Sequence, residues 1–166
     1  MYKPNSLRAH LMGAIEELKR NPDKLLIFAD EGNVVSRHCR TLSFEYAYKL
    51  SVIITDYAGA ADAIIVPLLA WVAVHQVDLM EHDEKRKNGI RLQIDFNNIS
   101  TIDLEVSLDL TEKVIVMEQE PGQLDAQHKG EPQIDDGAFV GDPDKIWTLR
   151  TGSQILAQWK TPSPAP

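Results

Sequence analysis

Five histidines and one cysteine are the residues of this chain with the readiest chemistry. His10, His38, His75, His82 and His128 never fall into an H-x-x-x-H or H-E-x-x-H pair, the helical spacings that turn two imidazoles toward one metal ion. Glu81-His82-Asp83-Glu84 gathers cation ligands, but consecutive helical residues diverge and Lys85-Arg86-Lys87 competes for the carboxylates, so a solvated charged turn is expected. His38 directly precedes Cys39. On a strand such neighbours face opposite sides of the sheet, which separates the imidazole from the thiol it would activate. Asp103, Glu105 and Asp109 share one face of an alternating segment. Acid–base work needs two carboxylates with separated pKa values in a cleft, and a row on a wet sheet face is a solubilising surface instead. Phosphate-cradling glycine loops of the G-x-G-x-x-G and G-x-x-x-x-G-K-[ST] types are absent. The expectation is a protein that is not an enzyme, with no catalytic residue, no metal and no cofactor.

Composition narrows the partners. The 166 residues are 43% hydrophobic and 25% charged, as expected of a single soluble domain. Seventeen basic against twenty-five acidic side chains leave a net charge of −8, which opposes the counterion release that drives nucleic-acid binding. The N-terminal Met1-Tyr2-Lys3-Pro4-Asn5-Ser6 lacks the apolar core of a signal sequence. The longest uncharged apolar run, Ala63 to Val74, contains Pro67 and falls short of the roughly 20 residues a bilayer needs. Neither nucleic acid nor membrane is expected as a partner. Cys39 stands alone, which suits a reducing compartment, and Asn98-Ile99-Ser100 reads as a strand-flanking turn rather than a glycosylation site.

The elements follow from periodicity. Leu7, Leu11, Ile15 and Leu18 recur at helical spacing after the capping residues Asn5-Ser6, and Asn21-Pro22-Asp23 ends that helix. Lys24 to Ala29 is an apolar run of strand length. Asp30-Glu31-Gly32-Asn33 supplies turn chemistry before Val34-Val35 opens a returning strand. Phe44 to Thr55 alternates, with Phe44, Tyr46, Tyr48, Leu50, Val52 and Ile54 on one face. A second, buried helix starts near Asp62 and carries Ile64, Ile65, Leu68, Leu69, Trp71 and Val72, with Pro67 forcing either a later start or a kink. Asn88-Gly89 is a turn dipeptide. Two alternating strands follow, Leu92/Ile94/Phe96 and then Ile102, Leu104, Val106, Leu108, Leu110, Val114 and Val116, in the manner of antiparallel pairing with one face wet. From 118 to 144 acidic residues, prolines and glycines replace the apolar pattern, which reads as a linker or mobile loop. A terminal hairpin over 145–160 turns at Thr151-Gly152-Ser153; an isolated hairpin is marginal, so Trp147 and Trp159 must pack on their own domain or on a neighbouring subunit. Residues 161–166, with three prolines, read as a disordered end.

Several of these stretches together carry a resemblance. Lys3-Pro4-Asn5-Ser6-Leu7-Arg8, Asn21-Pro22-Asp23-Lys24-Leu25 with Phe28, Asp30-Glu31-Gly32, Leu42-Ser43-Phe44-Glu45-Tyr46 with Tyr48, Ile53-Ile54-Thr55-Asp56-Tyr57, Pro67-Leu68-Leu69-Ala70-Trp71 and Leu110-Thr111-Glu112 run in order over about residues 1–117. In this collinear combination the chain resembles the tail completion protein R (GpR) family of peduovirus-type contractile-tailed phages. The resemblance implies a structural protein of the virion tail that acts at its head-proximal end, assembled in the host cytoplasm and needed for head–tail joining. It implies the tail tube protein and other tail and head completion proteins as partners. By looser analogy with tail terminators it implies a homo-oligomeric ring of six copies.

The expected fold is therefore α+β: one domain over 1–117, with a mostly antiparallel or mixed sheet of about five strands and two main helices packed on it, tail-terminator-like, followed by the 118–144 segment and the C-terminal β-hairpin. Asp30, Glu31, Gly32, Trp147 and Trp159 are the expected contacts to a neighbouring subunit or the tube, because turns and appended hairpins commonly make such contacts. The residues alone leave a second reading, a small cytosolic ligand-binding or accessory α+β domain with an apolar pocket.

Overall fold

The computed structural model describes residues 1–36, 41–81, 83–97, 100–132 and 142–163. His38, Cys39, His82, Asn98 and Ile99 lie outside the described residues, and so do the readings placed on them. The architecture is α+β, a five-stranded antiparallel sheet with helices on one face and a separate C-terminal hairpin, as expected.

Five strands form the sheet: β1 (Leu25–Ser36), β2 (Phe44–Tyr57), β3 (Ile90–Phe96), β4 (Ile102–Glu120) and β5 (Gln123–Lys129). Their order is β1-β2-β4-β3, and β5 pairs with the far half of β4. All pairings are antiparallel. β4 is the spine. Its first half pairs with β3 from Ile102 to Leu108 and its second half with β5 from Lys113 to Glu120, so one strand carries both neighbours on the same side.

Period-2 alternation sets the faces. Leu50, Val52 and Ile54 of β2 lie across from Leu108, Val106 and Leu104 of β4, and all six are buried. Against this face pack α1 (Lys3–Ala14) and α3 (Asp62–His75), with Leu7, Leu11, Ile64, Leu68 and Trp71 fully buried between the layers. Ile15 is extended and breaks the first helical run into α1 and the short α2 (Glu16–Arg20), yet Ile15 and Leu18 stay buried as their spacing predicts. The chain then makes one 3-10 turn at Pro22–Lys24 and enters β1.

Local details differ from the sequence reading. α1 starts at Lys3 with Pro4 in its first turn, so Asn5-Ser6 does not cap it. Asp62 is the first residue of α3 rather than its cap, and Pro67 lies inside the helix. Asp30-Glu31-Gly32-Asn33 is not a turn between two strands. β1 runs straight through it to Ser36, and the register against β2 slips between Asp30 and Asn33, a β-bulge that accommodates the turn-forming residues within one strand. Residues 118–129, read as the start of a linker, complete β4 and return as β5 around Gly122 at φ +81. Backbone pairing with β4 holds that polar strand in place where apolar periodicity is absent. Thr161 and Pro162 are buried rather than disordered, while 164–166 lie outside the described residues.

After α3 come α4 (Asp78–Glu81) and α5 (Asp83–Asn88). Asn88-Gly89 closes α5 and leads into β3 instead of turning a hairpin, with the Gly89 N–H donating to the Lys85 carbonyl at 2.6 Å. A Cβ at Gly89 would stand 2.6 Å from the Lys85 carbonyl oxygen and clash with the Leu79 methyl. Gly89→Ala is therefore expected to cost about 1–3 kcal/mol through overpacking, seen as a lowered calorimetric midpoint; an unchanged midpoint would show that α5 shifts freely.

Candidate assembly surfaces

Three assemblies of polar or aromatic side chains stand out from this frame. The first is buried. Glu112 occupies a core-facing position of β4, between Leu110 and Val114 in the apolar alternation, and is only 3% exposed. Its Oε1 accepts from the Tyr48 hydroxyl at 2.5 Å and the Lys3 N–H at 3.2 Å, and its Oε2 accepts from the Tyr2 N–H at 2.7 Å. The His128 Nδ1 of β5 lies 3.0 Å from Oε2. A helix start leaves its first N–H groups without intrahelical partners, and no local side chain caps α1. A carboxylate from across the molecule does so, in the position that the helix dipole favours.

Beside it, the ammonium of Lys3 is buried against Gln76 at 2.7 Å and Glu131 at 2.9 Å, and burial lowers its pKa despite those partners. Gln76 also accepts from the Thr111 N–H at 3.0 Å, so the network joins α1, the end of α3, β4 and the stretch after β5. Burial, reinforced by the adjacent carboxylate, pushes the Tyr48 phenol far above its ordinary pKa, so it remains a hydrogen-bond donor. Every group here holds another in place, which makes the cluster a structural rivet.

The second assembly lies on the outer face of the sheet. Glu31 sits in the β1 bulge at φ +47, and its Oε2 is 2.6 Å from the Lys49 ammonium of β2. Lys49 lies across from Asp109 of β4, whose two oxygens accept from the Arg91 guanidinium of β3 at 2.6 and 3.1 Å. Four strands thus carry a ladder of alternating charge, Glu31, Lys49, Asp109, Arg91. The Lys49 ammonium holds the Glu31 carboxyl below its usual range, and the Asp109 carboxylate raises Arg91. Exposed ion pairs of this kind add little stability.

The third is the hairpin, β6 (Ile146–Thr151) and β7 (Gln154–Lys160), a two-stranded sheet of its own. Trp147 and Trp159 lie opposite each other across it. The hairpin rests on the main body through Ala157 and Trp159, which join the core cluster with 3% and 7% exposure. Trp147 is half-buried: its indole N–H donates to Thr161 Oγ1 at 3.1 Å, and the Lys145 ammonium sits 3.8 Å over its ring. Between hairpin, α1 and α3 lies a cavity of about 470 Å³ lined by Ser6, His10, Trp71, His75, Trp159 and Lys160 among others.

Most of its polar groups are turned inward on the protein. The His10 Nε2–H donates to the Pro67 carbonyl at 3.0 Å, the Trp71 indole donates to Ser6 Oγ at 3.1 Å, and His75 stacks on Trp71. Burial lowers both histidines to about 4. Among the described residues the Trp159 indole N–H has no partner.

The expected contact residues therefore fall into two separate places. Asp30, Glu31 and Gly32 form the bulge at the free margin of the sheet, whereas Trp147 and Trp159 belong to the hairpin, with Trp159 packed on its own domain. The acidic row is split up as well: Asp103 accepts from the Asp56 N–H at 2.7 Å and Asp109 holds Arg91. The sequence named Lys3 and Glu112 only within the family resemblance and gave neither of them, nor Gln76, a structural role. A carboxylate interrupting the run from Ile102 to Val116 was the available signal.

Lys3, Tyr48 and Glu112, which meet in the rivet, come from three of the sequence stretches that resemble one family, and the comparison with known proteins settles the matter. A sequence model of the P2 phage tail completion protein R (GpR) family matches residues 1–132. The chain belongs to that family. It is 46% identical to Tail completion protein R of Escherichia phage P2 over 132 residues, which is 80% of this chain and 84% of that protein. The match to the tail completion protein R family ends just past β5 and takes in the whole five-stranded sheet, its helices, the rivet and the charge ladder. The C-terminal hairpin lies beyond it. No solved structure matches the chain.

Proposed function

We propose that this protein completes the phage tail as a structural component of the virion, acting at the head-proximal end where tail and head are joined, in contact with the tube and with other completion proteins. The observation that carries the reading is the family match across residues 1–132, the entire body of the fold. The interior agrees with a structural role, because its buried polar residues Glu112, Lys3 and Gln76 are spent on holding elements together. Several copies act together as a closed ring, six by analogy with tail terminators of other phages. The bulge at Asp30-Glu31-Gly32 and the hairpin with Trp147 and Trp159 are its contact regions.

The test is electron microscopy of an induced lysate in which the gene carries an early stop codon. Heads accumulating beside unjoined or wrongly terminated tails are expected. Intact, infectious virions would overturn the reading.

A further inference from the structure

The two margins of the sheet are complementary to each other. Among the described residues β1 and β3 end the strand order, so each leaves alternate backbone N–H and C=O groups without a strand partner there. The bulge limits the straight part of β1 to Leu25–Asp30, one residue shorter than the seven-residue β3. The charge ladder ends with Glu31 at the β1 margin and Arg91 at the β3 margin, opposite signs at opposite ends. Apolar side chains are also left uncovered on both: Leu26 and Phe28 on β1 are 41% and 48% exposed, and Leu92 on β3 is 52% exposed.

Resting on the reading above that the protein self-associates, we infer that neighbouring copies join by continuing the sheet, with Leu25–Asp30 of one copy pairing antiparallel with β3 of the next. The strand directions alternate from β1 through β2 and β4 to β3, so a following β1 arrives in the antiparallel sense without any change of orientation.

The register comes from the rows already present. Ile27, Val52, Val106 and Leu92 form one row across the sheet, and Leu25, Ile54, Leu104 and Ile94 form another. Extending them sets the next copy's Ile27 beside Leu92 and its Leu25 beside Ile94 on the helix-covered side. On the outer side the next copy's Leu26 comes beside Gln93 and its Phe28 beside Arg91, with its Asp30 and Glu31 diagonal to that guanidinium. Core-facing residues thus meet core-facing residues, the exposed Leu92 is covered, and the alternation of charge continues unbroken. The contact is heterologous, one margin against the other, and a constant rotation closes it into a ring.

Cysteines at Leu26 and Gln93 in a Cys39→Ser background test the register. Both positions are exposed and outside the ladder. Within one chain they are three strand spacings apart, roughly 14 Å, too far for an internal disulfide. Under mild chemical oxidation of assembled tails, the double variant is expected to give a non-reducing gel ladder of covalent multimers, while Leu26→Cys or Gln93→Cys alone gives none beyond background dimer. Arg91→Glu is expected to weaken self-association at least about tenfold in sedimentation. Association that persists with no ladder from the double variant overturns the register, as does efficient dimerisation through Leu26→Cys alone, which would place two β1 margins together. A chain that is monomeric both in solution and on the tail overturns this inference and the ring of the proposed function together, while the completion role is judged separately by the stop-codon lysate.

Discussion

Glu112→Ala is expected to destabilise the protein by about 3–5 kcal/mol, the usual cost of removing one member of a buried, hydrogen-bonded charged network. The carboxylate takes three hydrogen bonds, from Tyr48 and from the Tyr2 and Lys3 N–H groups, and alanine supplies none of them. The orphaned donors at the start of α1 then face an apolar interior, where each unmade bond costs about 1–3 kcal/mol. The helix either loosens from the sheet or admits water between them. Urea denaturation measures the loss directly, and hydrogen exchange at α1 should rise with it. Glu112→Gln keeps the shape and one acceptor oxygen and is expected to fall between wild type and alanine. A loss below about 1 kcal/mol for alanine would show that water replaces the carboxylate without difficulty.

Acidification supplies the second large effect. His10 and His75 are both lowered to about 4, His75 by burial and then by the Lys3 charge, and His10 by burial against its bond to Pro67. An unfolded histidine titrates near 6.5, so between about 6.5 and about 4 the unfolded chain binds protons that the folded one refuses. Stability therefore falls as pH falls through that window. For His75, which is 3% exposed, the full loss is on the order of 3 kcal/mol; His10, more open, contributes less. The lowered carboxyls act in a lower range: Asp103, held down by the Asp56 N–H, contributes stability above its unfolded pKa near 4 and loses it only below. Urea midpoints measured from pH 7 to pH 4.5 are expected to decline, and His75→Phe, which retains an aromatic ring against Trp71, is expected to flatten the decline. A flat wild-type profile would mean that both imidazoles protonate in place.

Acid sensitivity of this kind links the hairpin to the body, since both histidines line the cavity beneath it. Protonation charges the surface on which Trp159 rests. The hairpin is therefore expected to loosen on acidification before the sheet, which hydrogen exchange of β7 against β2 at pH 5 would measure.

Much of this was written in local pattern. Leu7, Leu11, Ile15 and Leu18 announced a buried helical stripe, and all four are buried even though Ile15 breaks the helix. The alternation from Phe44 and from Ile102 announced two long strands with one covered face, because side chains on a strand switch sides at every residue. Thr151-Gly152-Ser153 announced the hairpin turn, and Gly152 takes φ +56 there. Family membership was legible over residues 1–117, and the match extends to 132, past the end of β5.

Other features depend on what the chain meets far along its length. Asp30-Glu31-Gly32-Asn33 has turn chemistry, but 14 residues of β2 offer a continuous partner, and backbone hydrogen bonding on both sides of the bulge outweighs the local preference. β5 lacks apolar periodicity and exists because β4 runs on past β3 with a free side to pair. Glu112 looks like a lapse in an apolar face until Tyr2 and Lys3, more than a hundred positions away, present their N–H groups to it. The charge ladder is likewise built from residues of four strands that no window of sequence brings together. Periodicity reports which way a side chain faces, since that is set by the backbone within a few residues. Which partner it faces is decided by strand order and register, and those are properties of the whole packed chain.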